Sequence, residues 1–106
     1  MGLEFTALSD MIAALNQSFC SEEGNNTVDS ISKLMMSACL DCQVDMAIER
    51  GTFPDYDKNL EINKSNEWYE FIKQAYPYRY EHMMNAGRRN ISYTTAGPTG
   101  TISLLA

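Results

Sequence analysis

The 106-residue chain has no apolar run near the ~20 residues that a membrane-spanning helix needs, so a transmembrane segment is not expected. Its N-terminus lacks the basic region and apolar stretch of a secretory signal, which gives the expectation of a cytoplasmic protein. There is one histidine, His82, so a histidine-based metal cluster is excluded and no metal site is expected. Lys and Arg number 8 against 14 Asp and Glu, a formal net charge of -6. That balance argues against nucleic acid as a partner, which needs a basic surface, but leaves room for a local phosphate site. Internal repeats and low-complexity tracts are missing, and no Lys follows Gly100, which excludes a Walker A loop. The acidic Asp55, Asp57 and Glu61 are too scattered for an EF-hand and are expected to be solvated. Cys20, Cys39 and Cys42 are expected to be reduced. The Cys39-x-x-Cys42 pair lies inside a helical stretch, not at a helix start where a thiolate would be stabilised, so it is expected to pack in or near the core.

What is present is a globular composition, 44% hydrophobic, in a chain long enough for one domain at most. Apolar residues recur at helical spacing from Phe5 to Leu15, through Leu8, Met11 and Ile12. A loop over 16–20 follows, and Ser21 or Asn26 caps a long second helix running to Arg50. Its apolar series is Val28, Ile31, Leu34, Met35, Ala38, Cys42, Met46 and Ala47, and Gly51 and Pro54 end it. Met35, Ala38, Cys42 and Met46 are expected to form the core with Trp68 and Phe71. Residues 52–64 lack periodicity and read as a crossing loop. Ser65 or Asn66 caps a third helix with Trp68, Phe71, Ile72 and Ala75 on one face, and Pro77 interrupts it. Tyr78 to Asn85 reads as a short fourth helix stopped by Gly87.

The most informative stretch is at the C-terminus. Asn90 to Thr95 alternates Ile91 and Tyr93 with smaller polar residues and reads as a short strand. Gly97-Pro98-Thr99-Gly100 breaks it, and Thr101 to Leu105 opens a helix. A strand, a glycine-bearing turn and a helix start together make an anion site, because free N–H groups and the positive end of the helix dipole converge there. Gly100 admits close approach of a phosphate to the backbone, and Thr99, Thr101 and Ser103 add hydroxyl donors.

Arg89-Asn90, a short strand, then Ala96-Gly97-Pro98-Thr99-Gly100-Thr101-Ile102-Ser103 resembles the substrate-phosphate loop of the large, catalytic subunit of ribonucleotide reductases. That family more often has Ala directly before the proline; here Gly97 stands between them. Three further stretches resemble family landmarks in the same order: residues 2–11, the Ser21-Glu22-Glu23 helix opening, and Ala47-Ile48-Glu49-Arg50-Gly51-Thr52-Phe53-Pro54. Residues 55–84 carry no such landmark.

The resemblance implies an internal fragment of the family's ten-stranded α/β barrel, starting downstream of the radical cysteine and ending at the phosphate loop. The expected fold is mainly α: three to four helices with one C-terminal β-strand. It would form a single partial domain, with a helical part over 1–87 and the strand and loop over 88–106. Pro98, Thr99, Gly100, Thr101 and Ser103 would bind the phosphates of a ribonucleotide. The parent enzyme would make deoxyribonucleotides, DNA precursors, and the loop wording leans toward its adenosylcobalamin-dependent type. The fragment itself would hold no cofactor and no catalytic residue, since the family's Asn-x-Cys-x-Glu motif does not occur. Its partners would be the nucleotide, bound weakly, the remainder of the barrel, and a second copy paired through the exposed strand. The alternative is a small α-helical interaction module whose terminal loop matches by chance; barrel sequence continuing on both flanks would decide between the two.

Overall fold

A computed structural model describes residues 6–63 and 67–94. Five helices follow in order: α1 (Leu8–Ala14), α2 (Glu22–Arg50), α3 (Lys58–Asn63), α4 (Glu67–Ala75) and α5 (Pro77–Ala86). By packing the chain divides into two compact units, one of residues 36–93 and one containing the described residues 6–35. The mainly helical expectation holds among the described residues, and none of their helices is long and apolar enough to cross a membrane.

In the unit with residues 6–35, local hydrogen bonds define the elements. Asn16 at φ 57° follows the end of α1; its N–H bonds to Ala13 O, and that of Gln17 to Ile12 O. This pair of bonds satisfies the last carbonyls of the helix. Ser21, one of the two expected caps, starts α2: its Oγ accepts the Gly24 N–H at 3.1 Å and donates to Ser18 O at 2.6 Å. Gly24 is required by space, since a Cβ there would lie 2.6 Å from Ser18 O. Phe5, expected in α1, lies outside the described residues.

In the unit of residues 36–93, Leu40 and Val44 of α2 meet Tyr69 and Ile72 of α4 and Met83 and Met84 of α5 in one buried cluster. The expected core face of α2 is therefore corrected. Ala38 and Cys42 are exposed, and Met35 and Met46 are half-buried. The buried face is displaced by more than one residue step of about 100° around the helix. Apolar residues occur all around this part of α2, so periodicity alone does not select a face. Phe71 and Ala75 are also exposed, and Tyr69 takes the place expected of Phe71. The three cysteines are unpaired, Cys20 and Cys42 exposed and Cys39 half-buried, so the expectation of a place in or near the core is corrected for Cys42.

Two further differences concern the connections. The expected loop over 52–64 contains α3, started by Asp57, whose Oδ1 accepts the N–H groups of Asn59 at 2.8 Å and Leu60 at 3.3 Å. A six-residue helix leaves too short a periodic pattern to be read from sequence. The expected strand is not formed over residues 90–94, and Thr95 lies outside the described residues. One nitrogen, Arg88 Nη1, binds the carbonyls of both Asn90 and Ile91. In an extended strand, successive carbonyls point to opposite edges, so one group cannot reach both.

Candidate functional site

Two sequence landmarks come together in the unit of residues 36–93. The first is 47–54. Gly51, at φ 79°, lets the chain leave α2, and the Tyr56 N–H bonds to Phe53 O at 3.0 Å, turning the chain at Pro54 and Asp55. The turn sets the Tyr56 ring edge-on to that of Phe53, with centroids 5.4 Å apart. The second is Arg89-Asn90, which with Arg88 before it follows α5. Gly87 makes this exit possible: it sits at φ 83°, and a Cβ there would lie 2.5 Å from the Thr52 methyl group.

Arg88 is buried at 5% exposure and Glu61 of α3 at 2%. They form a two-pronged ion pair, Nη2 to Oε1 at 3.1 Å and Nε to Oε2 at 3.3 Å. The Tyr69 hydroxyl donates to the same Oε2. The remaining nitrogen, Nη1, binds Asn90 O at 2.9 Å and also Ile91 O. The guanidinium lies over two rings, 5.1 Å from the Phe53 centroid and 5.3 Å from that of Tyr93. A charge removed this far from water needs such partners, and here every guanidinium nitrogen has one. The expectation that Glu61 is solvated is thereby corrected; Asp55 and Asp57 are exposed as expected.

Burial and the ion pair together shift the groups around it. Burial lowers the affinity of Arg88 for its proton, but the hydrogen bond to Glu61 and the surrounding tyrosines outweigh this, and its pKa is raised. Burial raises the Tyr69 phenol, and its hydrogen bond to Glu61 raises it further. Tyr93 and Tyr56 are raised as well, chiefly by burial, with Arg88 opposing the rise in both. All three phenols are therefore neutral at physiological pH. The Tyr93 hydroxyl donates to Met83 Sδ at 3.0 Å.

Arg89 has a different task. Its Nη1 reaches the carbonyls of Arg50, Gly51 and Thr52 at 3.2, 3.1 and 3.2 Å. It thus places a positive charge at the C-terminal end of α2, where unpaired carbonyls collect. Arg88 is thus turned inward onto Glu61, and Arg89 is engaged by the end of α2.

The segment after them is held by Gln43. The Gln43 Oε1 accepts the Asn90 N–H at 2.9 Å and Asn90 Nδ2 at 3.1 Å, and its Nε2 donates to Ser92 O at 3.4 Å. The sequence did not single out Gln43, and Glu61 read from it as a solvated carboxylate. Gln43 lies on the face carrying Met36, Leu40, Val44 and Ala47, which periodicity alone does not select. Nothing near Glu61 in sequence marks its partner, which is 27 residues away.

The residues expected to bind phosphate, Pro98, Thr99, Gly100, Thr101 and Ser103, lie outside the described residues. The structure describes the approach to them as far as Thr94. Among the described residues no group of three His, Cys, Asp or Glu side chains could hold a metal ion.

No solved structure matches this chain. The family model described as "Ribonucleotide reductase, barrel domain" matches residues 1–106. Its match spans both landmarks that meet around Arg88 and the terminal Pro-Thr-Gly-Thr loop, and the chain belongs to the ribonucleotide reductase barrel-domain family.

Proposed function

We propose that this chain is an internal part of a ribonucleotide reductase catalytic subunit and contributes its substrate-phosphate loop. Backbone N–H groups around Gly100 and the hydroxyls of Thr99, Thr101 and Ser103 would receive the phosphates of a ribonucleotide, with Pro98 shaping the turn. One observation carries this reading. The two family landmarks, 47–54 and the one opening at Arg89-Asn90, pack on one another through Arg89, and Arg88 beside them lies over Phe53, shortly before the loop. A chance likeness confined to the terminal loop gives no reason for that packing.

The chain supplies binding and not the reacting group. By the family resemblance, the radical forms on a cysteine in an Asn-x-Cys-x-Glu motif, and this sequence has none. Positioning cannot replace an absent reactive group. Incubation of the chain alone with ribonucleotides, adenosylcobalamin and a dithiol is expected to yield no deoxynucleotide above the blank.

Adenosylcobalamin would be the radical source of the parent enzyme if the loop wording reports its type. No described residue is assigned to it. Pairing of the segment 90–95 with a second copy is the weaker reading. The carbonyls of Asn90, Ile91 and Ser92 are already held by Arg88 and Gln43, and a partner would have to displace both.

The test is titration of the 106-residue chain with ADP, followed by amide chemical shifts. A helix-terminus contact is worth about 0.3–1 kcal/mol, against the roughly 8 kcal/mol of micromolar binding. Shifts confined to residues 98–103 and developing only at millimolar ADP are expected. No change there at any concentration would refute the phosphate-loop reading.

A further inference from the structure

We propose that Gln43 is a positioning residue for the segment that carries the phosphate loop, an inference that rests on the loop reading above. Gln43 is 4% exposed, on the face of α2 that carries the core residues Leu40 and Val44. A buried amide costs stability unless both of its ends are bonded, and an apolar side chain of similar size would fill the same space without that demand. Both ends are bonded, and all of the bonds run to one short segment. Oε1 takes two donors of Asn90, and Nε2 donates to Ser92 O. The backbone carbonyl of the same residue accepts the Arg89 N–H at 3.2 Å. The orientation of the amide is set by this pattern, since reversing it would turn the NH₂ group toward the two donors of Asn90.

Arg88 grips the same segment through the carbonyls of Asn90 and Ile91. The two side chains together hold Asn90 by its N–H, its amide and its carbonyl. Gln43 is the member of the pair that also reaches Ser92, the point nearest the loop. Freed from it, the chain beyond Arg88 would leave α2 in more than one direction. Phosphate donors work only when they converge on one point, and a misplacement of about 1 Å is enough to weaken such a site severely.

Gln43→Met keeps volume and helix preference and removes all three side-chain bonds; amide shifts, hydrogen exchange and ADP titration read the result. Asn90 amide exchange is expected to quicken roughly tenfold, as for the loss of a hydrogen bond. Amide shifts of residues 95–103 should move, and the ADP response there should weaken several-fold. Gln43→Glu keeps an acceptor for Asn90 and loses the donor to Ser92. It should restore Asn90 protection but not the ADP response. Leu40→Ala is the control for stability alone: it lowers the melting temperature, and in its folded population the shifts of 95–103 stay as in the parent chain. If Gln43→Met does not fold, Asn90→Ala leaves α2 untouched and removes the Nδ2 bond to Gln43; it is read by the shifts of 95–103 and the ADP response, because the N–H at 90 keeps its acceptor.

Unchanged shifts at 95–103 and unchanged Asn90 exchange in Gln43→Met would overturn the proposal. Altered shifts with an ADP response equal to the parent's would overturn its link to phosphate. If the parent chain shows no ADP response, the loop reading fails, and the ligand-free shifts and exchange still decide whether Gln43 positions the segment.

Discussion

The described residues 6–35 and the residues 36–93 are ordered in opposite ways. In the first, Ile12 is the buried large apolar side chain, while Phe19 and Leu34 stand in solvent. Its hydrogen bonds are short-range: Ser21 to Ser18 and Gly24, and Asn16 and Gln17 back to α1. Thr27 Oγ1 lies 2.8 Å from Gln17 Oε1 and 3.1 Å from Glu23 O, and its single proton serves one of them. In the second, a continuous apolar cluster spans α2, α4 and α5, and Arg88, Arg89 and Gln43 also find partners 27 to 49 residues away. The difference teaches where each part is vulnerable. Turn and cap residues set the first, so single changes should cost little and stay local. Long-range partners set the second, so removing one leaves the other stranded in the interior.

Breaking the buried ion pair should have the largest effect. Glu61→Gln keeps the shape and leaves Arg88 without its counter-charge, which is expected to cost about 3–5 kcal/mol. Denaturant unfolding followed by Trp68 fluorescence measures it; a cost below about 1 kcal/mol, the range of exposed pairs, would mean that the pair is not desolvated.

Next is the core face of α2. Leu40→Ala should cost about 2–5 kcal/mol. Leu34→Ala, at a side chain 73% exposed, should stay within about 0.5 kcal/mol. Equal melting temperatures for the two variants would overturn the face assignment.

Alkaline titration sharpens the same contrast. Tyr56, Tyr69 and Tyr93 have folded pKa values above the ordinary 10.0, all within residues 36–93. Above pH 10 the unfolded chain releases these protons while the folded chain keeps them, so unfolding is favoured. The stability they contribute is complete below pH 10 and is lost as pH rises toward the folded values, by about 1.4 kcal/mol per unit of difference. Melting temperatures should be insensitive to these groups from pH 7 to 9 and fall beyond 10. Tyr69→Phe should reduce the fall; an identical profile would show that Tyr69 is not protected.

The smallest effect belongs to the first region. Ser21→Ala removes the α2 cap and should cost about 1 kcal/mol. Faster amide exchange should be confined to residues 22–25, with none at Asn90. Loss of protection at Asn90 as well would show that the two regions are not ordered independently.

Much of the helical framework was legible in the sequence. Ser21, Gly51, Pro77 and Gly87 mark helix ends through chemistry that acts within one turn of the chain. Asp57 is a signal of the same kind, but α3 behind it spans only six residues, too few to show a period. The face of α2 was not legible, because its apolar residues surround the helix and the choice belongs to α4 and α5. Glu61 and Gln43 escaped for a related reason. A carboxylate or amide between helical residues is ordinarily solvated, and nothing near Glu61 in sequence announces Arg88.

By itself the sequence determined the helical class, most helix ends and membership of the reductase barrel family. Each of these depends on short-range spacing or on a string of residues. Only the tertiary structure decided that Glu61 and Arg88 are buried together, that Arg89 closes the end of α2, and that Gln43 holds Asn90 and Ser92. The physical reason is desolvation. Whether a polar side chain can leave water depends on a complementary group brought to it by the fold, and that group lies tens of residues away along the chain.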